Sequence, residues 1–217
     1  NKIHEPQCFA KYWFHNGFVV VDGEKMSKSI GNIRLVNELI KNYQGEVLRL
    51  ALLSAHYRQP LNWTTDNINQ HNAMLDHLYR ALKDLNGIEI DNKNTIVPND
   101  IIIALCDDLN TPKALAELNS LVNKISTSNL SEKKKIKEGI TATGKLLGIL
   151  QENPDKWLGY GHSKTLDSKT IEDLINNRNE ARRKKNFTIA DSIREELKSN
   201  GIEIEDTKDG TVWRSID

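Results

Sequence analysis

Five consecutive residues, Lys25-Met26-Ser27-Lys28-Ser29, set two ammonium groups three positions apart among serine hydroxyls, with Gly31-Asn32 just beyond. Lysine is a compact cation on a long flexible stem, so it can follow phosphate oxygens as a loop closes. A cation that meets charge as it develops on a departing phosphate stabilises the transition state more than the bound reactant. The serine hydroxyls and backbone N–H groups add further donors. Taken alone, the same five letters also describe an ordinary polar loop with two solvated lysines. A second cationic group, Arg178, Arg182, Arg183, Lys184 and Lys185, falls on one predicted helix. Arg178, Arg182 and Lys185, at spacings of four and three, share a face suited to successive phosphates. The other reading of that face is a solvated one, paired with acids such as Glu180.

These groups need elements to hold them. Residues 5–15 are expected to form a short aromatic-rich helix, broken by Asn16-Gly17 before the β-branched run Val19-Val20-Val21. Asp22-Gly23 predicts a tight hairpin, so the Lys25–Ser29 loop leaves a strand and leads into a helix over 33–43. A further helix begins at Glu46 and stops before Pro60. Over 64–86, Ile68, His71, Leu75, Leu78, Leu82 and Leu85 form one seam with a histidine in it, closed by Asn86-Gly87. After an Asn- and Asp-rich linker at 87–97, Thr111-Pro112 reads as cap and first turn of a helix striped by Leu115, Leu118, Val122 and Ile125. Ser131 is the expected cap of another helix over 131–150. Stacked amphipathic helices with short connections are the pattern of a bundle. A second linker at 159–167 precedes helices over 168–185 and 187–200, and a β-hairpin is expected around Asp209-Gly210.

The 217 residues carry 30 Lys+Arg and 30 Asp+Glu, a net charge of zero that excludes a protein coating nucleic acid by bulk charge but allows local basic faces. Apolar residues are 38% and charged residues 28%, which suits exposed helices. The longest apolar runs are too short to cross a bilayer, so no membrane is expected. Two cysteines, Cys8 and Cys106, make no disulfide framework, and with no leader-like start the expected location is cytoplasmic. His4 and Cys8, at helical spacing, invite a metal site with His15, but they read as a surface histidine and a half-buried thiol on a helix, with no metal ligand among them. The chain opens with Asn1, so it is expected to be part of a longer protein.

The KMSKS sequence, set between a strand and a helix with His15-Asn16-Gly17 upstream, resembles that of class I aminoacyl-tRNA synthetases. Further stretches are similar to the cysteinyl-tRNA synthetase family: EVLRLALLSAHYRQPLNW (46–63), LCDDLNTPKALAEL (105–118), LLGIL, and most specifically RNEARRKKNFTIADSIREELKSNGIEIEDTKDGTVWR (178–214). The resemblance covers nearly the whole chain.

It implies a mainly α architecture in three parts. Residues 1–63 would end a class I catalytic domain with the KMSKS loop, 64–158 would form a helical anticodon-binding bundle, and 168–217 a small mixed α/β module with a hairpin. The implied activity is ATP-dependent attachment of L-cysteine to tRNA(Cys) through cysteinyl-adenylate. Lys28 would be the main phosphate ligand and Lys25 its helper, in an ATP site of Lys25, Met26, Ser27, Lys28 and Ser29. Arg178, Arg182, Arg183, Lys185, Asp206, Trp213 and Arg214 would meet tRNA. Trp213 would either stack on an unpaired base or close the small core, and Asp206 and Asp209 would accept from base edges unless Asp209 serves only the turn. ATP with Mg2+ is implied, and zinc is expected for the family, but no ligand cluster for zinc and no HIGH sequence is found in these residues. A monomer is expected. The alternatives are a ligase joining cysteine to an amino sugar, which would not need the 178–214 segment, and a non-catalytic tRNA-binding protein, which would not need the two lysines.

Overall fold

The structure, a computed structural model, describes residues 10–161, 163, 165–207 and 210–216. Two compact units are present. One comprises residues up to Leu78 together with Gly87–Leu150, the other Tyr79–Asn86 and the residues from Gln151 onward.

The first unit begins with strands β1 (Val19–Val21) and β2 (Glu24–Lys25), joined by the Asp22-Gly23 turn. Both turn residues have positive φ, 52° and 89°, the twist a two-residue hairpin requires and that glycine adopts without strain. Strand β3 (Leu61–Trp63) lies parallel to β1, with Val19 opposite Leu61, giving the sheet order β2-β1-β3. A parallel pair needs a crossover, supplied here by helices α1 (Val36–Leu39) and α2 (Gly45–Leu53). Val47, Leu48, Leu50 and Ala51 bury one face of α2.

Two expected helices differ. No helix forms over 10–15: Tyr12, Trp13 and Phe14 are exposed in irregular chain that bends at Lys11–Tyr12, since adjacent aromatics are poor helix formers and offer no single apolar stripe. The rest of that expected helix, with Cys8 and His4, lies outside the described residues. The helix expected over 33–43 shrinks to the four residues of α1, which has no side-chain cap and buries nothing.

Helix α3 (Thr65–Asp84) carries the seam as expected, with Ile68, His71, Leu75, Leu78 and Leu85 buried and Leu82 partly so. His71 is a core histidine with a local partner, its Nδ1 lying 2.6 Å from the Asn67 carbonyl oxygen. Helices α4 (Asn99–Cys106), α5 (Thr111–Asn123) and α6 (Leu130–Leu147) pack in succession. Their caps sit one or two residues ahead of the expected ones. Asn110, not Thr111, caps α5 by accepting from the Lys113 N–H at 3.1 Å. Asn129, not Ser131, caps α6 in a reciprocal box with Glu132. Asn binds the free N–H groups of a first turn at least as well as Ser or Thr, and only Asn129 has a glutamate three positions on to close the box.

In the second unit, α7 (Pro154–Trp157) stacks Trp157 on Tyr79 at 4.5 Å. Helices α8 (Ser168–Arg183) and α9 (Phe187–Ser199) pack together, and α9 packs on β4 (Ile202–Thr207) of the antiparallel hairpin β4–β5 (Gly210–Ser215). Ile171, Ile175, Ile193, Leu197, Ile202, Ile204 and Trp213 form its core. Asp209, assigned to the hairpin turn, lies outside the described residues. No helix among the described residues is long and apolar enough to cross a membrane.

Candidate functional site

The Lys25–Ser29 loop hangs from β1 and β2 and is shaped by one side chain that the motif itself does not include. The Asn32 amide oxygen accepts from the Ser27 N–H at 2.9 Å, and its Nδ2 donates to the Lys25 carbonyl at 3.4 Å. The Met26 N–H donates to Val19 at 3.0 Å, the Gly31 N–H to the Lys28 carbonyl at 3.2 Å, and the Ser27 and Ser29 hydroxyls share a hydrogen bond of 3.1 Å. The loop is therefore closed on itself by local bonds, with Met26 and Ser27 half-buried and Lys28 projecting into solvent. Lys28 makes no ion pair among the described residues. Lys25 is parked differently, its Nζ 3.6 Å from the centroid of the exposed Phe18 ring, a cation–π contact that holds it loosely. Among the described residues no carboxylate neutralises either ammonium group.

The loop's base is anchored from outside. The Gly17 N–H donates to the Tyr57 carbonyl at 2.7 Å and the Leu61 N–H to the Phe18 carbonyl at 2.9 Å. A Cβ on residue 17 would overlap the Gln59 carbonyl oxygen, so only glycine permits this approach. The segment 56–58 is held in turn by Asp108. Its carboxylate accepts from Arg58 Nε at 2.7 Å and from the Tyr57 hydroxyl at 2.6 Å. Those two donors, Arg58 first, hold the Asp108 carboxyl down at about 2, and the same contact raises the Tyr57 phenol.

The cations of the second unit divide sharply. Arg178 is buried, its guanidinium forked onto Asp206 with Nη1–Oδ1 2.9 Å and Nη2–Oδ2 3.0 Å. Arg182 also reaches Asp206, and the Thr211 hydroxyl donates to it at 2.8 Å. These donors, Arg178 foremost and opposed by partial burial, keep the Asp206 carboxyl far below the usual carboxylate range. Arg214 pairs across the hairpin with Glu203, Nε–Oε2 2.7 Å. Lys184 reaches Glu180 at 3.4 Å. The face expected to link Arg178, Arg182 and Lys185 does not form, because α8 ends at Arg183 and Lys185 turns away with φ 58°. Arg183 and Lys185 are exposed and make no ion pair among the described residues. Trp213 is buried in the core, opposite Ile204. It also borders, with Lys83, Tyr160, Asn176 and Thr211, an open depression of about 530 Å³.

Sequence reasoning missed Asn32, Phe18 and Asp108 as parts of the site. The Gly31-Asn32 pair after the loop was visible, but its amide acts across five residues, and Asp108 lies 50 residues from Arg58. Among the described residues no group of three or more His, Cys, Asp and Glu side chains could hold a metal ion, so none of them fits a zinc site.

Three consecutive segments match known families: residues 2–73 the tRNA synthetases class I (C) catalytic domain, 101–151 the DALR domain, and 168–214 the cysteinyl-tRNA ligase anticodon binding domain. Similar proteins include cysteine–tRNA ligases of Rhodospirillum rubrum (45% identical over 96% of this chain and 46% of the relative). Those of Parvibaculum lavamentivorans (45%; 99% and 47%) and Wolbachia pipientis wMel (43%; 94% and 44%) are also similar. The chain spans about half the length of the curated relatives it matches. With the KMSKS loop on its strand, the helical bundle and the hairpin module following one another as these matches do, the chain belongs to the cysteinyl-tRNA synthetase family of class I aminoacyl-tRNA synthetases.

Proposed function

We propose that this chain supplies the KMSKS part of an ATP site and the tRNA-binding parts of an enzyme that attaches L-cysteine to tRNA(Cys). The cysteine carboxylate attacks the α-phosphate of ATP, the bond to the β-phosphate oxygen breaks, and cysteinyl-adenylate and pyrophosphate result. The cysteinyl group then passes to the tRNA 3′ end and AMP leaves. The observation that carries this reading is Lys28, exposed and without an ion pair among the described residues, on a loop that Asn32 and the Asp22-Gly23 hairpin hold in shape. Its ammonium group meets the growing charge on pyrophosphate, and Lys25 moves off the Phe18 ring to join it. The Ser27 and Ser29 hydroxyls donate further.

Residues 1–63 serve the nucleotide, 64–158 support the tRNA, and 168–217 meet the anticodon. There Arg183 and Lys185 take phosphates, while Arg178, Arg182 and Asp206 shape the surface together with Trp213 and Arg214. Mg2+ accompanies ATP and screens its phosphates. The enzyme works as a cytoplasmic monomer. Neither the amino-sugar ligase nor the non-catalytic binder gains support, since the anticodon-domain match and the exposed Lys28 argue against each in turn. The test is cysteine-dependent pyrophosphate–ATP exchange by the full-length protein. Lys28→Ala should lower the rate on the order of 10²- to 10³-fold with tRNA affinity unchanged, and unaltered exchange would refute the role.

A further inference from the structure

The corner between α4 and α5 turns through two left-handed residues directly after the end of α4. Asp108 and Leu109 are consecutive non-glycine residues with positive φ, 53° and 54°. Such conformations persist only where surroundings over-determine them. Here the surroundings are local bonds, Leu109 N–H to the Leu105 carbonyl at 3.1 Å and Asn110 N–H to Ala104 at 3.3 Å, which turn the Asp108 carboxylate out of the corner. It lands on the Arg58 fork and the Tyr57 hydroxyl, with His56 Nε2 3.9 Å away. His56 stacks on Tyr57 at 4.9 Å, and Phe14 tilts against the same ring at 5.9 Å. Tyr57 and Leu61 then bond the backbone of Gly17 and Phe18, the two residues just ahead of β1, and β1 carries the hairpin from which Lys25 and Lys28 depart.

We propose that Asp108 is a positioning residue for the KMSKS lysines: by clamping Tyr57 and Arg58 to the α4–α5 corner it fixes the height at which β1 presents the loop. Nothing in the mechanism above uses Asp108, and it stands far along the chain from the loop it steers. The aim of the side chain is the mark of this role: Asn110 supplies the cap of α5, and Asp108, one of the residue types that adopt positive φ, turns its carboxylate onto the 56–58 segment. The inference rests on the reading of Lys28 as the phosphate ligand.

Asp108→Asn is the suitable variant, because Asn tolerates positive φ and the corner will still fold. In the full-length protein, kcat for cysteine-dependent pyrophosphate exchange should fall about tenfold, with the KM for ATP changed less than twofold. In a Lys28→Ala background the same substitution should cost nothing further, since both act through one ammonium group. An unchanged kcat, or an equal loss in both backgrounds, overturns the proposal. Hydrogen exchange on this chain supplies an arm independent of activity. The Gly17, Leu61 and Met26 amides should exchange several-fold faster in Asp108→Asn, while the Ile140 amide within α6 keeps its wild-type rate. Unchanged exchange at Met26 also overturns it. Wild-type protein with no cysteine-dependent exchange would instead refute the proposed function, and the hydrogen-exchange arm would still decide the clamp.

Discussion

Removing the Asp206 carboxylate should unlatch the C-terminal hairpin from α8. Arg178 is only 8% exposed as a side chain, so in Asp206→Ala its guanidinium stays buried with nothing charged to meet. Breaking a buried pair from one side costs about 3–5 kcal/mol. Asp206 is itself 42% exposed and Arg182 47%, so water re-solvates part of what is lost. Asn179, whose Oδ1 lies 3.4 Å from Arg178 Nη1, keeps a fraction of one bond. The expected loss is therefore about 2–3 kcal/mol. It is best read locally, as faster hydrogen exchange of the β4–β5 ladder amides and of the Trp213 indole N–H, with amides of α5 and α6 as internal controls. The pH dependence has a definite sign. A carboxyl whose folded value lies below the ordinary value of about 3.9 stabilises fully above that value and loses its contribution as pH falls through the folded one. Wild type and Asp206→Ala should thus differ fully at pH 5–7 and converge in strong acid. Arg178→Met combined with Asp206→Leu should recover much of the loss, because replacing both partners leaves no orphaned charge. A difference under about 0.5 kcal/mol at pH 7, or a double variant worse than either single one, would refute the view that Arg178 depends on Asp206.

Asn32→Ala should lower kcat for pyrophosphate exchange about tenfold with little change in melting temperature, since it frees the Ser27 N–H and Lys25 carbonyl of an exposed loop; unchanged kinetics would show that the loop shapes itself. Gly17→Ala should destabilise the β1–β3 pairing by roughly 2 kcal/mol or more, read by thermal unfolding, because the new methyl meets the Gln59 carbonyl. Arg183→Ala should weaken tRNA binding and reduce the slope of log affinity against log salt by about 0.7–0.9, while an unchanged slope would remove Arg183 from the phosphate contacts.

Much of the framework was legible because the deciding signals were local. Asp22-Gly23 specified its hairpin within two residues, and the α3 seam repeated often enough to fix both a helix and its buried face. Alternation put Trp213 and Val212 on opposite faces, yet only packing against Ile193 and Ile204 decided which turned inward. Capping failed by a residue or two, because Asn110 and Thr111, or Asn129 and Ser131, compete for the same N–H groups. The fate of the basic cluster was beyond local reading. Helical spacing alone grouped Arg178 with Arg182 and Lys185, while the partner that claims Arg178 lies 28 residues on, beyond α9 on strand β4. The same distance problem hid the contact of Asp108, which the sequence places only within the 105–118 stretch, 50 residues from Arg58.

The way Asp206 and Glu180 absorb charge has a kinetic consequence. Of five clustered cations at the end of α8, two are tied to Asp206 and one to Glu180, which leaves Arg183 and Lys185 projecting outward. Two such charges on a chain of zero net charge cast a weak long-range field, so a polyanion arriving at this module is steered little before contact. Encounter there is governed by diffusion and fit, and the residence time of the complex, more than its rate of capture, will separate a matching partner from a near miss.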